Sequence, residues 1–164
     1  MNIEDKVYLL LKQKGYKVST AESCTGGLLS ATIINVSGAS EIIDMAFVTY
    51  SNEAKQELLG VKSDTLKKYG AVSEQTASEM AYGVKNRANS NVGLSTTGIA
   101  GPTGGTDKKP VGMVCFGICI NNKTYTYTNI FDVTDKSSDE MRSFVRKSSV
   151  NFILEKLYNL LKEE

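Results

Sequence analysis

A three-layer α/β/α sandwich built on a mixed sheet is the fold class the sequence predicts. Helical periodicity opens the chain, interrupts the strand-like runs and closes the chain, which places helices on both faces of a sheet. Short β-branched or aromatic runs end in polar, glycine-bearing loops, as strands of open α/β sheets do. The 164 residues, 41% of them hydrophobic, suit one globular domain over 1–164.

In chain order, Ile3, Val7, Leu10 and Leu11 recur at helical spacing and stop at Gly15. Tyr16 to Ala21 reads as a strand running into Glu-Ser-Cys-Thr-Gly-Gly at 22–27. Leu29, Thr32, Ile33 and Val36 then resume helical spacing. Ser-Gly-Ala-Ser at 37–40 breaks that helix, Ile42 to Tyr50 reads as a second strand, and Ser51 and Asn52 offer caps for a helix through Lys55 to Leu59. Ser63-Asp64 and Ser73-Glu74 open two further helices, the second with Ala77, Met80, Ala81, Val84 and Ala88 on one face. Val92 to Thr97 is a strand that empties into Gly-Ile-Ala-Gly-Pro-Thr-Gly-Gly-Thr at 98–106. Val111–Ile120 and Lys123–Phe131 flank the turn-forming Asn121-Asn122 as an antiparallel pair. From Ser138 the chain is helical almost to its end.

Composition excludes several chemistries. Nineteen Lys and Arg against eighteen Asp and Glu leave a net charge of +1, so no global field recruits nucleic acid, membrane or an acidic partner. The absence of histidine removes imidazole triads and most catalytic zinc cages. The three cysteines, Cys24, Cys115 and Cys119, form no CxxC pair, which argues against a disulfide framework and for a reducing compartment. The amphipathic start and the lack of a long apolar run suggest a cytoplasmic protein without a membrane span.

Three polar loops follow predicted strands, at 22–27, 50–55 and 96–106, and meet at one sheet edge if the strands are parallel neighbours. The first offers hydroxyls and glycine N–H groups at a helix start, suited to phosphate or carboxylate. The glycine-rich loop from Gly98 through Gly101 lacks a P-loop ending and is not GxGxxG, which leaves a backbone nest for one phosphate. In the first turns of a helix Lys55 meets the positive dipole end, which depresses its pKa, and without histidine it is the candidate base for a serine. Cys24 is an alternative nucleophile. Arg142 and Arg146, four apart on one helical face, could clamp an anion or form a solvated stripe.

The segments Thr-Ala-Glu-Ser-Cys-Thr-Gly-Gly (20–27), Ser-Gly-Ala-Ser (37–40), Val-Thr-Tyr-Ser-Asn-Glu-Ala-Lys (48–55), Gly-Ala-Val-Ser (70–73), Gly-Ile-Ala-Gly-Pro-Thr-Gly-Gly (98–105) and Lys-Pro-Val-Gly (109–112) stand in family order over essentially the whole chain. Together they resemble the C-terminal domain family of CinA, the competence/damage-inducible protein, whose characterised members are nicotinamide mononucleotide (NMN) deamidases. The resemblance implies a three-layer fold and hydrolysis of the NMN carboxamide to nicotinic acid mononucleotide and ammonia, in pyridine nucleotide recycling, with no metal or organic cofactor. Carried over residue by residue, it implies a Ser40–Lys55 catalytic pair with Tyr50 beside it and Ser23 as a further polar site residue. Thr97 and Arg142 complete the site. Substrate is then expected at Thr25, Gly26, Gly27, Thr97, Gly98, Gly101 and Arg142, with NMN as the small-molecule partner and a homo-oligomer as the assembly. Some members carry an additional N-terminal domain with pyrophosphatase activity, which is not expected of this sequence. A catalytically silent nucleotide-binding or competence-associated module of the same fold is the alternative.

Overall fold

The computed structural model describes residues 1–164. Helix α1 (Ile3–Lys14) is opened by a reciprocal Asn2/Asp5 capping box and ended by Gly15 in the left-handed region at φ 67°. Strand β1 (Val18–Glu22) is followed by α2 (Leu28–Ile34), a single 3-10 turn (Ala39–Glu41) and β2 (Ile43–Val48). Three helices follow, α3 (Asn52–Leu59), α4 (Ser63–Tyr69) and α5 (Glu74–Ala88), then β3 (Val92–Gly98), the hairpin β4 (Met113–Ile120) and β5 (Lys123–Ile130), and α6 (Ser138–Glu163). The strands at 43–48 and 113–120 are shorter than the apolar runs that predict them. Thr49 and Tyr50 beyond β2, and Val111 and Gly112 ahead of β4, instead belong to the loops at the sheet edge, while Ile42 is buried in the core just before β2.

The sheet order is β2-β1-β3-β4-β5. Strand β1 lies parallel to both β2 and β3, whereas β3/β4 and β4/β5 are antiparallel, so the sheet is mixed. The parallel ends of β1, β2 and β3 therefore deliver the three polar loops to one edge. Asn121 takes the positive φ of 51° that closes the hairpin.

Alternation along the strands separates two cores. Val18, Val92, Leu94, Val114, Phe116, Ile118 and Ile120 face α1, α2 and α6, where Leu11, Leu29, Ile33, Ile153, Leu154 and Leu157 cover them. On the other face Ala21 packs with Leu59, Val61, Leu66, Met80 and Val84 from the α3–α5 layer. Cys115 and Cys119 are fully buried in β4 as free thiols. No helix is long and apolar enough to cross a membrane.

Helix α5 sits unusually close to the sheet because β3 and β4 present glycines beneath it. A Cβ on Gly93 would stand 2.1 Å from the Ala81 carbonyl oxygen, and one on Gly117 would stand 2.3 Å from that of Ala77. The Ser95 hydroxyl donates to the same Ala77 oxygen at 2.6 Å. This backbone-to-backbone approach fixes the N-terminus of α5 against the end of β3, and the segment 70–73 with it.

Candidate active site

Four segments meet beyond the carboxyl ends of the parallel strands: Ser23–Cys24 after β1, Tyr50 after β2 with Lys55 on α3, Ala71–Val72 before α5, and Thr97–Gly104 after β3. Arg142 of α6 closes the ring. They enclose an open cavity of about 270 Å³.

Lys55 is its chemical centre. Ser51 caps α3 by accepting from the Ala54 N–H at 3.1 Å, which places Lys55 in the second half-turn facing inward. The side chain is only 1% exposed. Its Nζ lies 3.1 Å from Ser23 Oγ, 2.8 Å from the Thr49 carbonyl oxygen and 3.3 Å from that of Tyr50. No carboxylate pairs with it. Burial lowers its pKa. Desolvation is thus the main cause, rather than the helix dipole that the position in α3 suggests.

The donor arithmetic decides what this lysine can do. As an ammonium it donates to all three partners, whereas the neutral amine keeps two hydrogens for the two carbonyls and has its lone pair free for the Ser23 hydroxyl. That is the arrangement of a general base on a nucleophile. Cys24, also lining the cavity, is held protonated, because burial pushes its thiol up to about 12.

The remaining walls mix apolar residues, Ala71, Val72, Ile99 and Ala100, with polar groups tied to one another. Arg142 donates to the Gly101 carbonyl at 3.0 Å and to the Tyr50 hydroxyl at 2.7 Å, tying two loops together across the mouth. The Thr97 hydroxyl donates to the Ala71 carbonyl at 2.8 Å. The N–H groups of Ala100, Gly101, Thr103 and Gly104, all residues of the cavity wall, are engaged by no carbonyl or side chain of the protein. No three His, Cys, Asp or Glu side chains converge where a metal ion could be held.

Seven of the residues expected from the sequence line the cavity: Ser23, Tyr50, Lys55, Thr97, Gly98, Gly101 and Arg142. Ser40 does not. It is exposed in the 3-10 turn before β2, three residues ahead of Ile43, which pairs with Val18 at the start of β1, whereas Ser23 follows the end of that strand. Five residues of strand put the two ends roughly 16 Å apart. The Ser40–Lys55 pair is therefore corrected to Ser23–Lys55.

Thr25, Gly26 and Gly27 are also outside the lining. Leu29 and Ser30, whose N–H groups open α2, donate to the two oxygens of buried Glu22 at 2.8 and 3.0 Å, and Thr25 Oγ1 lies 2.6 Å from the same carboxylate. An internal anion thus occupies the place expected for phosphate. Arg146 likewise turns to the Thr25 carbonyl at 2.8 Å instead of to the cavity. Sequence reasoning missed Glu22, whose signal is an acidic residue just ahead of a helix whose cap is glycine. It also missed Ala71 and Val72, which carry no chemical signal.

A three-layer α/β/α domain with a buried, unpaired lysine on a serine at the strand ends defines a class of fold and site. Within it the chain belongs to the CinA family: the model of the CinA C-terminal domain matches residues 1–161. A CinA-like protein of Kosmotoga olearia is 54% identical over 123 residues, which cover 75% of this chain and 30% of that one. The crystal structure of a competence/damage inducible protein from Agrobacterium tumefaciens is 39% identical with a TM-score of 0.87, covering 96% of this chain and 94% of that one. A CinA superfamily protein from Klebsiella pneumoniae superposes with a TM-score of 0.90 at 30% identity, over 100% of both chains. Alignments with the curated relatives span about three tenths of those proteins' length.

Proposed function

We propose that this domain is an amidohydrolase that converts NMN to nicotinic acid mononucleotide and ammonia by a serine–lysine mechanism. The observation that carries the reading is Lys55 Nζ, buried, without a carboxylate and 3.1 Å from Ser23 Oγ. Neutral Lys55 takes the Ser23 proton as the oxygen attacks the carboxamide carbon. Negative charge on the tetrahedral oxygen is met by free backbone N–H groups at the cavity wall. The lysine then returns the proton to the leaving nitrogen, ammonia departs, and a water deprotonated by Lys55 hydrolyses the ester. No step calls for a metal or organic cofactor.

With those N–H groups given to the oxyanion, this reading assigns the phosphate of the substrate to the Arg142 guanidinium at the cavity mouth. Arg142→Ala is expected to raise KM for NMN about tenfold or more while changing kcat far less, the pattern of lost ground-state binding. Steady-state kinetics checks this, and an unchanged KM would reduce Arg142 to a tie between loops.

The functional reading is tested by ammonium release from purified protein with NMN, run beside nicotinamide and NAD. Release from NMN is expected. Saturable NMN binding without release would favour a silent nucleotide-binding module.

A further inference from the structure

We propose that Glu22 is the positioning residue that holds Ser23 in register with Lys55, a role that rests on the serine–lysine reading. Glu22 ends β1, is fully buried and does not line the cavity. Its backbone and side chain grip both flanks of the serine. The carbonyl accepts the Thr49 N–H at 2.9 Å, and the Thr49 carbonyl in turn accepts from Lys55. The carboxylate reaches past Ser23 to Thr25 Oγ1 and to the Leu29 and Ser30 N–H groups.

The hydroxyls add direction. Thr25 gives its one hydrogen to the carboxylate, so in the 2.7 Å contact between Thr25 Oγ1 and Thr96 Oγ1 the donor is Thr96. Thr96 also accepts the Ser23 N–H through its carbonyl at 3.0 Å. Ser23 is thereby held on its amino side by the Thr96 carbonyl and on its carboxyl side by the Gly26 N–H at 3.1 Å, and Thr25, between Ser23 and Gly26, is itself set by Glu22.

Capping alone does not explain this arrangement. The α2 N-cap is Gly27, at φ 97° and with no side chain, and a local serine or aspartate is the usual way to satisfy a helix start without burying a charge. A carboxylate sent from the preceding strand does something a local cap does not: it couples the start of α2 to the end of β1 across the serine. Loss of the carboxylate leaves two N–H groups and a hydroxyl without their acceptor, and the serine loop is free to drift from Lys55.

The test uses a fluorophosphonate, which needs no NMN. Ser23 Oγ bonds to phosphorus, fluoride leaves, and Lys55 takes the proton, so intact mass reads the reaction. In Glu22→Gln the labelling is expected to reach full occupancy but at least about tenfold more slowly than in the unsubstituted protein. Thr25→Val, which keeps the side-chain volume and removes the hydroxyl, is expected to slow it in the same sense and covers the case in which Glu22→Gln does not fold. Unchanged rates in the variants, including unchanged rate with reduced final occupancy, would overturn the proposal and leave Glu22 a purely structural cap. An unsubstituted protein that is not labelled at Ser23 would overturn it together with the serine–lysine reading. One that is labelled yet leaves NMN intact would refute the substrate alone.

Discussion

Lys55→Met is expected to lower NMN turnover by about a thousandfold or more, which is about 4 kcal/mol of transition-state stabilisation. Methionine keeps the length and removes the amine that contacts Ser23. No histidine exists to replace it as base, and the nearby Cys24 thiol stays protonated well above neutrality. The pH dependence follows from the direction of the lysine shift. On the serine–lysine reading the neutral amine is the active form, so kcat/KM is expected to rise with pH to a plateau, with its midpoint below the ordinary 10.5 because burial disfavours the ammonium. The same depressed pKa means that the unfolded chain binds more protons between the folded midpoint and 10.5. Stability attributable to Lys55 therefore rises with pH through that window. Rates measured across pH check the first statement, and a midpoint at or above 10.5 would contradict it.

The second large effect concerns the scaffold. Gly117→Val places side-chain atoms against the Ala77 carbonyl and Ser95 Oγ, where a Cβ alone would stand at 2.3 and 2.6 Å. Neither neighbour yields easily, since the Ala77 oxygen belongs to the α5 backbone and accepts the Ser95 hydroxyl. The substitution is expected to cost about 3 kcal/mol or more, at the upper end for overpacking, and to lower Tm by about 10 °C. Activity falls with it, because lifting α5 displaces Ala71 and Val72 and breaks the Thr97 tie to Ala71. Thermal unfolding decides: a shift of under about 2 °C would show that α5 can move away from the sheet at little cost.

Much of this site can be read before any coordinates are known, because it is assembled by local rules. Ser51 and Ser73 cap α3 and α5 as their sequence contexts predict, and Gly15 ends α1. Those boundaries, with three strands each ending in a polar loop, already place Lys55, Tyr50 and Thr97 at one edge. Misassigning Ser40 reflects a different kind of information. Both serines lie near strands, and which end of the sheet each occupies depends on strand direction: Ser40 precedes β2 and Ser23 follows β1. The rule that ligands bind beyond carboxyl ends selects Ser23 once the strands are known to be parallel. The fate of the glycine loop at 25–27 was not legible, since only the folded arrangement reveals that Glu22 fills the start of α2.

Ammonium release from NMN by the unsubstituted protein, Ser23→Ala and Ser40→Ala in one assay tests the central claim most directly. The structure predicts full activity in Ser40→Ala and loss of about a thousandfold or more in Ser23→Ala, with both variants folded. Retained turnover in Ser23→Ala, or its loss in Ser40→Ala, would contradict the assignment of the nucleophile at the end of β1.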